Sequence, residues 1–175
     1  DNTTGFFDGI EGGGLVAIFT HAGGAQQQSL AYSTDRGRTW TKYEGNPVIS
    51  FPDGDPLQDG AFRDPKVFWH EESGRWMMVV AGGPLRFYSS PDLKTWTYES
   101  GYNLPQVING ETVNAIFTEC PDLFRLKVEG TNTYKWVMNG CGRYYMIGDF
   151  EQIDGKWYFV PDTNEQFVEN FAPDA

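Results

Sequence analysis

Short apolar runs separated by turn-forming residues make up most of this 175-residue chain. Each run either alternates between apolar and polar positions or is apolar throughout, which is typical of strands with one or two buried faces. Gly, Pro, Asp, Asn or Ser lies between almost every pair of runs, as turns between strands require. No segment keeps apolar residues at helical spacing over three turns. The pattern predicts an all-β chain with strands at residues 15–20, 29–33, 39–43, 66–69, 76–81, 85–89 and 95–98.

An internal repeat groups these strands into larger units. The sequence Arg63-Asp64-Pro65 aligns with Glu119-Cys120-Pro121, 56 positions later, and the same spacing relates Trp40 to Trp96. Each unit holds four short strands, which is the size of a β-propeller blade. The chain contains about three units, whereas closed propellers have about four to eight blades. We therefore predict a portion of a larger propeller, in a single, incomplete domain over residues 1–175.

Composition and charge narrow the class of ligand. The formal net charge of −11 at pH 7 disfavours binding to nucleic-acid phosphates and to an anionic membrane surface. An uncharged partner such as a sugar is compatible with this charge. The two histidines, His21 and His70, and the two cysteines, Cys120 and Cys141, lack the spacing of a zinc site. The cysteines either form one disulfide bond or stay reduced, and the sequence leaves both states open.

Acidic residues occupy equivalent points in two successive units. The innermost strand of a blade lines the propeller axis, and the repeat places Arg63 and Asp64 at the start of one such strand and Glu119 at the start of the next. Two carboxyl groups that face one pocket can split a glycosidic bond, one by protonating the leaving oxygen and the other by stabilising or attacking the sugar carbon. Arg63 would keep Asp64 ionised and donate paired hydrogen bonds to vicinal hydroxyls. The apolar residues 115–117 would raise the pKa of Glu119 towards that of a working acid.

The same two motifs resemble those of a known enzyme family. The sequence Arg63-Asp64-Pro65-Lys66 is similar to the RDP motif of glycoside hydrolase family 32, and Glu119-Cys120-Pro121-Asp122 is similar to its EC motif. This family comprises invertases, inulinases, levanases and fructan-processing transferases. The resemblance covers nearly the whole chain, with further similarity at residues 2–6, 29–33 and 46–49.

The resemblance implies a portion, of about three blades, of a five-bladed β-propeller that hydrolyses β-fructosides in levan, inulin or sucrose with retention. In the parent protein, the rest of the propeller and usually a C-terminal β-sandwich would accompany it. Glu119 would be the general acid/base, Asp64 would hold fructose hydroxyls and stabilise the transition state, and Arg63 would help to bind the sugar. The implied partner is a fructose-containing oligo- or polysaccharide, no cofactor or metal is implied, and we expect secretion.

One catalytic residue of the family has no counterpart in this sequence. The family's nucleophile is an aspartate in an N-terminal Asn-Asp-Pro-Asn-Gly-type motif, and no such motif occurs in these residues. Asn46-Pro47 is not a substitute, because the repeat places it in a loop between blades. We therefore expect these residues alone to be inactive. Two alternatives stay open: an inverting arabinan-type hydrolase, whose acid and base lie about 6.5–9.5 Å apart, and a propeller that binds fructan without cleaving it.

Other polar sequences are expected to be structural. The sequence Ser33-Thr34-Asp35-Arg36-Gly37-Arg38-Thr39-Trp40 fits the Ser-x-Asp-x-Gly-x-Thr-Trp box of sialidase propellers, in which the aspartate closes a turn. We expect His70 to be solvated in a polar hairpin. We expect Asp53-Gly54-Asp55 to be a solvated loop, because the rest of a calcium-binding loop is absent.

Overall fold

The computed structural model describes residues 1–51, 61–82, 85–102, 106–108, 111–113, 119–140, 144–163 and 167–168. Every regular element among them is a β-strand, so none is a helix long and apolar enough to cross a membrane. Cys141 and the 53–55 loop lie outside the described residues.

Three sheets have the antiparallel meander of propeller blades. The first blade consists of β1 (Leu15–Ala22), β2 (Gln26–Ser33) and β3 (Thr41–Lys42). The second consists of β4 (Arg63–His70), β5 (Arg75–Ala81), β6 (Leu85–Ser90) and β7 (Thr97–Tyr102). A two-stranded sheet follows, formed by β8 (Gln106–Ile108) and β9 (Glu111–Val113). The third blade consists of β10 (Pro121–Lys127), β11 (Tyr134–Gly140), β12 (Tyr144–Ile153) and β13 (Lys156–Pro161), with β14 (Phe167–Val168) paired to β12.

The all-β prediction and the prediction of about three blades are confirmed. The repeat also explains why the first blade has three strands among the described residues. Tyr32 on β2 aligns with Tyr88 on β6, so β1, β2 and β3 correspond to β5, β6 and β7. The inner strand of a blade, which β4 and β10 supply in the other two, has no counterpart in the first sheet among the residues that the structure describes.

Strand β5 is buried on both faces and joins the blades through two hydrophobic clusters. Met77 and Val79 belong to the cluster between the second and third blades, which also contains Trp136. Met78 and Val80 point the other way, into a cluster with Phe62, Tyr88 and partly buried residues of the first blade. Successive side chains of a strand point to opposite faces. A strand packed on both faces therefore needs the continuous apolar run that the sequence has at this point.

The box that resembles a sialidase motif forms a turn, as expected. The Asp35 carboxylate accepts hydrogen bonds from the backbone N–H of Thr39, at 2.9 Å, and from the hydroxyls of Thr39 and Ser33. These bonds lower the pKa of Asp35 to about 2. Trp40 donates its indole N–H to the Gly37 carbonyl within the same turn. The predicted strand at 39–43 is consequently reduced to β3, since its first residues belong to the turn.

The prediction that His70 is solvated is wrong. Its side chain is 1% exposed and lies against the rings of Trp136, Phe150 and Trp157. Burial lowers the pKa of His70, although the neighbouring Glu72 acts in the opposite direction. The sequence around His70 is polar, but the aromatic residues that cover it come from the third blade.

Candidate active site

The inner strands of the second and third blades bring the predicted site residues together. Arg63 is the first residue of β4, and Glu119 lies just before β10. Three contacts join these segments, and each links positions 56 residues apart in the sequence. Arg63 pairs with Glu119, the Asp64 carboxylate accepts the backbone N–H of Cys120, and Lys66 pairs with Asp122. Equivalent positions of the second and third blades are therefore in direct contact along their inner strands.

Arg63 holds Glu119 with two hydrogen bonds. Its Nη2 donates to Oε1 of Glu119, and its Nε donates to Oε2 at 3.3 Å. This hydrogen bonding lowers the pKa of Glu119 below its usual value, with the positive charge of Arg63 acting in the same direction. The prediction of a raised pKa is wrong for this arrangement. The apolar residues 115–117 on which it depended lie outside the described part of the chain, whereas Arg63 is in direct contact.

Asp64 lies at the same opening as Glu119. Its Oδ2 is 3.9 Å from Nε of Arg63 and accepts the backbone N–H of Cys120 at 3.0 Å. Ligand atoms of Asp64, Glu119 and Cys120 lie within 4.8 Å of one another. The side chains of Arg63, Asp64 and Glu119 are 28%, 32% and 44% exposed, so a ligand can reach them. The arrangement offers two carboxylates and a guanidinium to one substrate.

This cluster is close enough to face one metal ion, but its charges argue against such a use. Both carboxylate oxygens of Glu119 accept hydrogen bonds from Arg63, and a guanidinium beside them would repel a cation. Oδ2 of Asp64 already accepts a backbone N–H. The donor set suits hydroxyl groups better than a metal ion, because guanidinium and carboxylate together supply both hydrogen-bond donors and acceptors.

The backbone at the site is held in an uncommon conformation. Asp64 has a φ of 57° and Cys120 has a φ of 44°, and these two residues are equivalent in the repeat. A positive φ is rare outside glycine and persists where the surroundings enforce it, often at functional sites. In both blades this residue lies within one position of the start of the inner strand, next to the contacts that join Arg63 to Glu119 and Asp64 to Cys120.

Three polar residues of the first blade support this site and were not predicted from the sequence. Thr20 accepts the backbone N–H of Asp64 at 3.1 Å. Gln26 accepts the backbone N–H of Phe62, and Gln28 donates to the Phe62 carbonyl. The only signal in the sequence is the run of three glutamines at 26–28 in an otherwise apolar strand pattern.

Asn46, which the repeat excludes as a nucleophile, has a structural role. Its side chain accepts the backbone N–H of Leu30 and donates to the carbonyl of the same residue, both at 2.8 Å. An amide that satisfies both backbone groups of one residue extends the edge of the sheet. It lies in the loop between β3 and β4, as the repeat predicts, and its described side-chain hydrogen bonds go to β2 and not to the cluster around Arg63.

Known proteins resemble this chain in sequence and in fold. Residues 4–172 match the sequence profile of the glycosyl hydrolases family 32 N-terminal domain. A fructan beta-fructosidase of Streptococcus mutans is 44% identical over 178 residues, which cover 99% of this chain and 11% of that protein. A levanase of Bacillus subtilis is 47% identical over 164 residues, which cover 86% of this chain and 23% of that protein.

A solved structure shows the same fold. The fructofuranosidase of Schwanniomyces occidentalis, complexed with fructose, superposes with a TM-score of 0.74 at 33% identity, over 97% of this chain and 33% of that one. The chain thus spans about a third or less of the length of these relatives. It belongs to glycoside hydrolase family 32, and residues 4–172 lie in the family's N-terminal domain.

Proposed function

We propose that the protein containing this chain is a glycosidase that hydrolyses β-fructosides with retention at the anomeric carbon. The observation that carries the proposal is the convergence of Asp64 and Glu119 from the inner strands of adjacent blades, with Arg63 between them. The names of the relatives support the substrate class, since they describe a fructosidase, a levanase and a fructofuranosidase bound to fructose.

In this proposal Glu119 is the general acid/base. It protonates the leaving oxygen and later takes a proton from the attacking water. Without substrate, the pKa of Glu119 is lowered by Arg63, which favours the ionised form. Sugar hydroxyls that compete for the guanidinium of Arg63 would release Glu119, and its pKa would then rise. Substrate binding therefore prepares the acid.

Asp64 is proposed to bind fructose hydroxyls and to stabilise the positive charge that develops on the sugar ring. Its Oδ2 lies 3.9 Å from Nε of Arg63 and accepts the backbone N–H of Cys120 at 3.0 Å, which fixes the position of the carboxylate. An anion fixed beside a ring that becomes positive stabilises the transition state more than the ground state. Arg63 completes the subsite as a forked donor to neighbouring hydroxyls.

The nucleophile is proposed to come from another part of the protein. We place these 175 residues in a single propeller domain, which the remaining blades would complete and a β-sandwich would follow. The chain spans 23% of the levanase, for example, so much of the parent protein lies outside the chain. Facing blades meet at the propeller axis, where an aspartate from a further blade would reach the same substrate.

Asp64 and Glu119 do not themselves have the spacing of an inverting pair. An inverting pair is separated by about 6.5–9.5 Å to leave room for a water molecule. Oxygen atoms of Asp64 and Glu119 lie within 4.8 Å of each other. These two residues are therefore too close to act as the inverting acid and base. An inverting enzyme would have to take its base from another blade, and the anomeric configuration of the first product distinguishes the two mechanisms.

Secretion is also part of the proposal. If the substrate is a polymer such as levan or inulin, the enzyme would meet it outside the cell, because so large and polar a molecule does not cross a membrane unaided. One yeast relative is named an extracellular exo-inulinase. Fractionation of a culture of the source organism, with fructosidase activity measured in the medium and in the cells, tests this assignment.

The full-length protein tests the proposed activity. We expect it to release fructose from levan, inulin or sucrose, and NMR of the first product should show the substrate's anomeric configuration. Glu119→Gln should lower kcat by about 100-fold or more, with little effect on the thermal midpoint because the exchange is nearly isosteric. The matched control is Glu151→Gln, at an exposed position on β12.

Three results would contradict the proposal. Activity of Glu119→Gln within a few-fold of the wild type would remove Glu119 from the mechanism. Inversion at the anomeric carbon would exclude a retaining enzyme. Binding of fructan by a folded full-length protein, without any cleavage, would favour the non-catalytic propeller.

A further inference from the structure

A buried amide in the first blade makes hydrogen bonds next to the candidate catalytic residues. Gln28, on β2, has no solvent exposure. Its Nε2 donates to the carbonyl of Phe62 at 2.8 Å, and its Oε1 accepts the hydroxyl of Thr20 at 3.0 Å. The hydroxyl oxygen of Thr20 in turn accepts the backbone N–H of Asp64 at 3.1 Å. These hydrogen bonds hold the backbone at Phe62 and at Asp64, the two residues on either side of Arg63.

Gln26, on the same face of β2, holds the same segment from a second side. Its Oε1 accepts the backbone N–H of Phe62 at 2.9 Å and lies 3.4 Å from Nη1 of Arg63, which donates to it. Side chains of the first blade therefore bond to the backbone N–H and carbonyl of Phe62 and to the guanidinium of Arg63. We call Thr20, Gln26 and Gln28 the bracket.

The backbone at Asp64 needs this support because the sheet does not supply it. In the pairing of β4 with β5, Arg63 lies opposite Ala81 and the next paired residue is Lys66, with a shift of register between them. Asp64 and Pro65 fall inside this irregularity, and proline has no N–H to donate. Asp64 also has a φ of 57°, which a non-glycine residue keeps only where its neighbours enforce it.

We propose that Gln28 and Thr20 are positioning residues, which hold Arg63 and Asp64 in the orientation that the reaction requires. The proposal rests on the proposed function. Thr20 and Gln28 bond to the backbone on each side of Arg63, so these two residues act through the backbone. Gln26 differs from them, because it also accepts a hydrogen bond from the Arg63 guanidinium. Small errors in the placement of catalytic groups lower the rate of the chemical step strongly.

The test uses the full-length protein with a fructoside substrate. Gln28→Glu keeps the shape of the side chain but replaces the Nε2 donor by an oxygen that faces the Phe62 carbonyl. Thr20→Val keeps the shape of the side chain and removes the hydroxyl, whereas Thr20→Ser keeps it. We expect kcat to fall at least about tenfold in Gln28→Glu and Thr20→Val, with a smaller change in KM, and Thr20→Ser to stay near the wild type.

Gln27→Glu is the matched control. Gln27 lies between the two bracket glutamines on β2, so its side chain points to the opposite face of the strand. The same change of chemistry at this position should leave kcat within about twofold of the wild type. Hydrogen exchange of the peptide that contains Asp64 gives a second readout, and it should be faster in Thr20→Val than in Thr20→Ser.

The outcomes separate the bracket from the proposed function. A wild-type protein that cleaves no fructoside refutes the proposed function. If the wild type is active and the Gln28→Glu and Thr20→Val variants keep their kcat, the positioning role of Gln28 and Thr20 is refuted and the proposed function stands. If Gln28→Glu does not fold, the two Thr20 variants decide. Equal losses of kcat in Thr20→Val and Thr20→Ser would show that the loss does not come from removal of the hydroxyl. This result would also refute the positioning role.

Discussion

Arg63 contacts two acidic residues for which we propose different tasks. Its guanidinium donates to both oxygens of Glu119 and lies 3.9 Å from the carboxylate of Asp64. The same five N–H groups are the donors that a sugar would use. In the proposed function, substrate hydroxyls compete with Glu119 for Arg63, and this competition would couple sugar binding to the protonation of the acid.

The proposed role of Asp64 predicts a selective effect on turnover. In the full-length enzyme, Asp64→Asn keeps the size of the side chain and removes the negative charge. We expect kcat to fall by about 100-fold or more and KM to change only a few-fold, since the charge matters most in the transition state. Steady-state kinetics on sucrose or levan measure both. A variant that raises KM and keeps kcat would instead show a role in binding only.

The contact between Arg63 and Glu119 predicts a shift in pH dependence. Arg63 lowers the pKa of Glu119, so Arg63→Met should raise that pKa. The protonated acid would then persist to higher pH, and the alkaline limb of kcat/KM, which reports the free enzyme, should move upward. Lys66→Met is the control, because Lys66 pairs with Asp122 instead. An alkaline limb that stays in place in Arg63→Met would contradict the coupling.

At the scale of strands and turns, local pattern was sufficient for most of the fold. Alternating apolar and polar positions, with turn residues between them, predict strands. The continuous apolar run at residues 76–81 predicts a strand buried on both faces, and β5 has this burial. The internal repeat also predicts that Asp64 and Glu119 come together, but contacts between distant segments that the repeat does not relate were not predictable. The bracket links Gln28 to Phe62 across 34 residues, and His70 is covered by rings of the third blade. The pKa of Glu119 was mispredicted for the same reason, since its sequence neighbours say nothing about Arg63.

The turn around Asp35 predicts a stability difference that depends on pH. The pKa of Asp35 is lowered from 3.8 to about 2 in the folded protein. Its hydrogen bonds therefore stabilise the fold fully above pH 3.8, and this contribution is lost as the pH falls through about 2. Thermal unfolding of Asp35→Asn should show a lower midpoint than the wild type at neutral pH, and the gap should close near pH 2.

The control for this experiment is Glu44→Gln, at an exposed position outside the turn. Its midpoint should follow that of the wild type at every pH. A gap between Asp35→Asn and the wild type that is equally large at neutral and at acid pH would show that the carboxylate's charge does not stabilise the turn.

For the molecule as a whole, the proposal predicts that catalysis needs more than these residues. The chain expressed alone lacks the family's nucleophile motif, so we expect it to leave sucrose, levan and inulin intact while the full-length protein releases fructose. Circular dichroism of the isolated chain gives the control for its β-structure. Fructose release by the isolated chain within a few-fold of the full-length rate would show that the reaction needs no further residue.

The in-register contacts between β4 and β10 have a consequence for the order of the blades. Along the shared seam, the second blade contributes the cations Arg63 and Lys66, and the third contributes the anions Glu119 and Asp122 at the matching positions. If the second blade were followed by a duplicate of itself, arginine would face arginine and lysine would face lysine, and the like charges would repel. The charges along this seam therefore favour contact between the second and third blades over contact between two copies of the second blade.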